Sequence, residues 1–251
     1  MRAETGGKVN RVTVSFTTMS KRHVLPEFDG RLMDGLLFCR RVYEYFERIR
    51  LGPNGKSLLR RRNNLELKKL VEELIPLAVF IQRKYSVAVQ IRVRWHAGNQ
   101  PFDAQLFRSG GAVEVGVYSK RFLVEITSAM HKNDYYSRVL VDSQRVSFGP
   151  TGISKNAKGE LTSSPYVWRG DEFPESMIAM IREAVAKKTA KVYPQDTVLL
   201  VNCTFERVVL PDEWEGVIAE VRKTVDIRPF SEVFLLDAAG HLTASIYSHK
   251  E

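Results

Sequence analysis

Apolar residues recur along this chain with two different periods, and the alternation between them predicts its elements. Helical spacing runs through residues 31–51, which are rich in Leu, Phe and Tyr and end at the breaker Gly52-Pro53-Asn54-Gly55. It returns at 64–84, where Leu67, Leu70, Val71, Leu74, Ala78 and Ile81 form one stripe. Pro76 lies inside that stripe and should bend it, because proline removes a backbone donor and crowds the preceding turn. Further helices are predicted over 134–141, 174–192 and 213–225. Strand-like alternation marks 11–16, 87–95 (Val87, Val89, Ile91, Val93, Trp95), 102–106, 113–117 after the turn Gly110-Gly111, and 122–127. Residues 197–201 form a continuous apolar run, as a buried strand does, and 232–236 with 242–247 predict a terminal hairpin around Ala238-Ala239-Gly240. Residues 149–164 have turn composition.

From residue 64 to 203 the order is therefore helix, three or four strands, helix, strand. Such an order fits an α/β fold in which helices flank both faces of a central mixed β-sheet. Residues 1–63 are expected to form an N-terminal extension with a helix and a basic cluster. Residues 204–251 are expected to add a helix and hairpin packed on the core.

The 251 residues are 44% hydrophobic and 27% charged, ordinary values for a globular protein. No apolar run is long enough to span a bilayer, and the first residues lack the apolar segment of a signal peptide. Cys39 and Cys203 each sit in an apolar run, where buried free thiols and a reducing, cytoplasmic setting are expected. Lysine and arginine exceed acids by 38 − 29 = 9, and the pI is near 9.6. That balance favours a polyanionic partner such as DNA. The densest basic cluster, Arg60-Arg61-Arg62, is a candidate phosphate contact, with a solvated surface as the alternative reading.

Candidate chemistry lies in two acids set in apolar, strand-like runs. Asp103 stands in Pro101-Phe102-Asp103-Ala104, and Glu125 in Val124-Glu125-Ile126-Thr127. If the two runs pair as a hairpin, both acids converge on one edge of a sheet. A carboxylate so placed is costly unless it is hydrogen-bonded, paired or holding a metal. Solvent-facing acids, or partners of a nearby Arg or Lys, are the plainer reading. His96 falls in a predicted turn, without a second histidine at ligand spacing. Lys132 and Arg138 follow the Glu125 run closely and suit contact with phosphate, or else a helix surface.

The order of elements, with Pro101-Phe102-Asp103 followed by Glu125-Ile126-Thr127, resembles the restriction-endonuclease-like core (αβββαβ) of the PD-(D/E)XK nuclease superfamily over residues 64–203. The resemblance implies a nuclease in which Asp103 and Glu125 hold Mg²⁺ or Mn²⁺ and activate water, with nucleic acid as substrate. It also leaves room for a nuclease-derived protein that binds nucleic acid or assembles without cleaving, and for a second copy of the chain as partner. Thr127 stands where the pattern has lysine. The apolar stripe Ile178, Ile181, Ala184, Val185 of the 174–192 helix continues to Lys188, a candidate migrated lysine, with a solvated last turn as the alternative. Glu73, at the border of the 64–84 stripe, is the candidate third ligand by analogy with the superfamily's helix acid, or an exposed helix residue.

Overall fold

The computed structural model describes residues 12–13 and 25–247. Of the strand expected over 11–16, the described part is β1, Val12–Thr13. β2 (Leu32–Asp34) runs directly into α1 (Gly35–Leu51), so the helix expected from residue 31 begins instead with an edge strand. Asp34 makes the junction: its Oδ1 accepts the Leu36 and Leu37 N–H groups at 2.9 and 3.1 Å, satisfying two orphan donors of the first turn. Gly35 is required there, because a Cβ would meet the Ile91 carbonyl oxygen at 2.8 Å. α2 (Gly55–Arg61) follows the breaker.

The expected 64–84 helix is present in three parts. α3 (Leu65–Lys69), capped by Asn64, passes into a π turn (Leu70–Leu74) and then α4 (Ile75–Lys84). Pro76 has no N–H to return to the Glu72 carbonyl. The chain widens just before it, and the Ile75 N–H reaches back to the Leu70 carbonyl, five residues away. Wide turns of this kind recur at functional sites.

β3 (Gln90–Trp95) and β4 (Ala104–Ser109) come next. The valines of 113–117 do not form a strand: the chain makes a single helical turn, α5 (Gly111–Glu114), and leaves Val115 and Val117 exposed. Both edges of β4 are already paired, so the alternating valines have no sheet to join. β5 (Arg121–Met130), α6 (Asp134–Gln144), β6 (Ile153–Lys155) and β7 (Glu160–Ser163) follow, with β6, β7 and β1 in a small separate sheet. The chain continues through α7 (Glu172–Thr189), β8 (Thr197–Thr204), α8 (Pro211–Thr224) and the hairpin β9 (Glu232–Asp237) and β10 (Thr243–Tyr247).

The main sheet has seven strands in the order β10-β9-β8-β5-β4-β3-β2. β5, β8 and β9 run parallel and the other pairs antiparallel, so the architecture is α/β with a mixed sheet. Its strands come from all three stretches marked off in the sequence, since β2 precedes residue 64 and β9 and β10 follow 203. One face packs α1, α3 and α4 against Ile91, Val93, Val124, Ile126 and Leu200. The other packs α7 and α8 against Leu199, Val201, Val233 and Leu235. On that second face β3 adds no residue to the core among the described residues: Arg92 is exposed and Arg94 half-buried while Ile91, Val93 and Trp95 face the other way, into the first core. Cys39 and Cys203 are free and buried. Among the described residues no helix is long and apolar enough to cross a membrane.

Candidate active site at a fork in the sheet

β5 is the central strand of the seven, and its two neighbours hold different parts of it. β4 pairs with residues 121–124, and β8 with residues 123–130. Beyond Val124 the β4 side of β5 is therefore open, and the sheet forks. Asp103 stands at the mouth of this fork, on the residue before β4. Its N–H donates to the Val124 carbonyl and its carbonyl accepts the His96 N–H, both at 2.8 Å. The Ile126 N–H, left without a strand partner, donates to Asp103 Oδ2 at 2.7 Å. That bond puts the carboxylate in the plane of the sheet, open to groups from both faces. The sequence pattern anticipated acids converging on a sheet edge. The site instead lies inside the sheet, where β4 stops short.

Glu125 is buried on β5, on the face covered by α7. Of the expected apolar stripe of α7, Ile181, Ala184 and Val185 are buried and Ile178 is partly buried, with Met177 buried beside them. One turn further on, Lys188 reaches back to the sheet, and its Nζ pairs with Glu125 Oε1. Lys187 turns to solvent and pairs with Glu183 at 2.7 Å. The Tyr193 hydroxyl lies 3.5 Å from the same Glu125 oxygen, and burial together with that carboxylate pushes its pKa up. Thr127 is half-buried two residues along the strand.

Glu73 comes from the π turn on the opposite face. It is mostly buried, and both its oxygens lie 3.2 Å from Lys69 Nζ. Lys69 in turn sits 5.3 Å over the Trp95 ring. Burial raises the Glu73 pKa; the Lys69 charge opposes this, and the Glu125 charge adds to it. The Trp95 indole N–H also favours the charged form, without closing a hydrogen bond of ordinary geometry.

Asp103 feels the crowding most. Burial, then the charges of Glu73 and Glu125, push its pKa up to about 7, against the Ile126 N–H and the Lys188 charge. Three carboxylates from two faces thus act on one another, with Lys188 and Lys69 beside them. A chemical need for more positive charge at this point is the physical signature of the site.

The other expected contacts do not join it. Arg62 and Arg138 are drawn inside: Arg62 Nη1 lies 3.1 Å from Glu72 Oε1, and Arg138 pairs with Asp134 and approaches Glu72 at 3.6 Å. Arg60 and Arg61 both engage Asp142 on α6. Asp142 serves two of these arginines and Glu72 is shared by Arg62 and Arg138, so the cluster that looks densest in sequence is partly neutralised in space. Lys132 is exposed at the turn before α6. His96 supports Asp103 through its backbone, while its ring packs on Phe102.

Sequence reasoning missed a second basic set. Register aligns Arg94 with Gln105 and Leu123, and Arg92 with Phe107 and Arg121. By strand alternation these rows lie on the Glu125 face, where β3 adds no residue to the core among the described residues. Among the described residues none of Arg92, Arg94 and Arg121 has an ion-pair partner. The alternation Gln90, Arg92, Arg94 opposite Ile91, Val93, Trp95 was the available signal.

Among the described residues no group of three or more His, Cys, Asp and Glu is disposed to hold a metal ion. The donor set that fits a hard cation is smaller: Asp103 with Glu125, whose desolvated charges repel. Mg²⁺ commonly takes one or two carboxylates and completes its shell with water and phosphate, so two acids at the fork suffice. Comparison of the chain with known protein families, with curated proteins and with solved structures finds no match.

Proposed function

We propose that this protein is a metal-dependent nuclease of the PD-(D/E)XK kind that hydrolyses phosphodiester bonds in nucleic acid. One observation carries the reading: the α7 lysine meets Glu125 beside Asp103, supplying from a helix the cation that Thr127 cannot. Asp103 and Glu125 would hold Mg²⁺ or Mn²⁺, which when bound supplies an acidified water and a counter-charge for the phosphate. Lys188 pairs with Glu125 and places a positive charge where negative charge develops during hydrolysis. The Ile126 N–H fixes the Asp103 carboxylate, and Glu73 acts on it from the other face. Arg92, Arg94 and Arg121 offer the nucleic-acid backbone a path across the Glu125 face to the fork.

The test is cleavage of single- and double-stranded DNA and RNA with Mg²⁺ or Mn²⁺. Activity should vanish with Asp103→Ala and with Glu125→Ala, and activity surviving both refutes the assignment. Lys188→Met should lower the rate by about a hundred- to a thousandfold. Thr127→Lys in that background should restore part of it, because it returns the lysine to the strand position. Two alanines at Arg92 and Arg94 should reduce the slope of log affinity against log salt by about 2 on duplex DNA, read by fluorescence anisotropy. An unchanged slope would remove these arginines from the interface.

A second reading, a nucleic-acid-binding protein without chemistry, is favoured by Thr127, which stands where the superfamily pattern has lysine. Salt-sensitive binding with no cleavage under any metal would select it.

A further inference from the structure

A cleft of about 670 Å³ opens on the α4 face of the sheet, near the starts of β5, β8 and β9. It is on the opposite face from Glu125. Arg108 enters it from β4, with its guanidinium 3.9 Å from the Phe122 ring centre and 5.1 Å from that of Tyr118. Burial lowers the Arg108 pKa, against the pull of Glu232 and Asp196. Among the described residues its side-chain N–H groups have no hydrogen-bond acceptor and no ion-pair partner. A half-buried, stacked guanidinium with free donors is unusual in a folded chain, where such groups are normally paired.

The acids beside it are otherwise engaged. Glu232 Oε1 receives Lys84 Nζ and the Ser245 hydroxyl, each at 2.6 Å. Asp196 is exposed at the rim. Arg83 also lines the cleft. The lining cations Arg83, Lys84 and Arg108 outnumber the acids Asp196 and Glu232 by one (3 − 2 = 1). Tyr118 and Tyr247 supply ring faces and hydroxyls, and Val117 and Val198 supply apolar wall. The Gly110 turn fixes the geometry: at φ +109° its missing side chain leaves room for the Ala88 carbonyl, which a Cβ would meet at 2.7 Å.

We propose that this cleft binds a phosphate monoester carrying a planar ring, of nucleotide size, independently of the Asp103–Glu125 site. The free in-plane donors of Arg108 suit two phosphate oxygens, the tyrosine rings suit a base, and the volume lies in the range of small-molecule pockets. The same chemistry is presented by a free nucleotide and by the phosphorylated end of a nucleic-acid strand.

The test is calorimetric titration of the full chain in EDTA, where metal-dependent cleavage plays no part. The probes are adenosine 5′-monophosphate, adenosine, inorganic phosphate, and a tetranucleotide with and without a 5′-phosphate. The monophosphate should bind at least tenfold more tightly than adenosine or phosphate alone. Arg108→Gln should weaken it at least tenfold. Val117→Trp, which fills the mouth from a 64% exposed position, should do likewise with the melting temperature unchanged. Tighter binding of the phosphorylated tetranucleotide than of the monophosphate identifies a strand end as the ligand, and the reverse order identifies a free nucleotide. Absence of binding by either phosphate monoester overturns the proposal, as does an affinity that Val117→Trp leaves unchanged. If Arg108→Gln fails to fold, Val117→Trp decides.

Discussion

Asp103→Asn should make the folded protein more stable, by about 2–4 kcal/mol above pH 7, and by nothing below pH 4. The Asp103 pKa rises from 3.8 unfolded to about 7 folded, through burial first and the Glu73 and Glu125 charges second. A raised folded pKa means that the native state holds the proton more tightly than the unfolded state. The contribution to stability is whole below the unfolded pKa and is lost as pH rises to the folded pKa. About three units at 1.36 kcal/mol each set the upper end of the range. Asparagine carries no charge to desolvate, and its side-chain oxygen can still accept the Ile126 N–H. Urea unfolding at pH 4, 6 and 8.5 checks the result: the advantage of the variant should be absent, intermediate and full. Addition of Mg²⁺ at pH 8.5 should raise the wild-type midpoint and narrow the gap, because a bound ion stabilises only the chain that holds it. A gain independent of pH would place its origin in packing rather than in the carboxylate.

Stored instability of this kind is typical of a site organised for chemistry, and part of it was visible in sequence. Asp103 and Glu125 stood out because an acid in an apolar strand demands a partner. Lys188 was found by extending the Ile181–Ala184–Val185 stripe by one turn, a local geometric argument that holds wherever a helix is regular. Pro76 announced a break, and the π turn beside it carries Glu73.

What failed needed long-range information. The valines of 113–117 alternate like a strand, yet both edges of β4 were taken, which no local window shows. In sequence the Arg60–Arg62 cluster reads as a phosphate contact or a solvated surface, because Asp142 and Glu72, the acids it meets, come near only through tertiary packing. Conversely, Arg92, Arg94 and Arg121 are scattered in sequence and share a face only through the register of three strands. Charge density along a chain and charge density on a surface are different quantities here.

Arg138→Met should cost about 3–5 kcal/mol and leave the affinity of the folded fraction for the nucleic acid proposed as its substrate unchanged. Arg138 is buried, its guanidinium paired with Asp134 and Glu72 and lying 4.9 Å from the Tyr135 ring centre. Glu72 is held in addition by Arg62 and by the Tyr135 hydroxyl at 2.8 Å. Two acids and two arginines balance, and removal of one arginine leaves Asp134 buried with its principal partner gone. Burial already raises the Asp134 pKa, with Arg138 the first of the charges opposing it. Breaking a buried pair from one side is costly, whereas removing both charges is far less so. Asp134→Asn in the Arg138→Met background should therefore recover at least half of the loss, measured by urea unfolding at pH 7.5. Because Glu72 precedes Glu73 in the π turn, this network also braces the helix that delivers Glu73 to Asp103. If Arg138→Met instead left stability within about 0.5 kcal/mol of wild type and weakened DNA binding, the guanidinium would be a phosphate contact and the brace would be elsewhere.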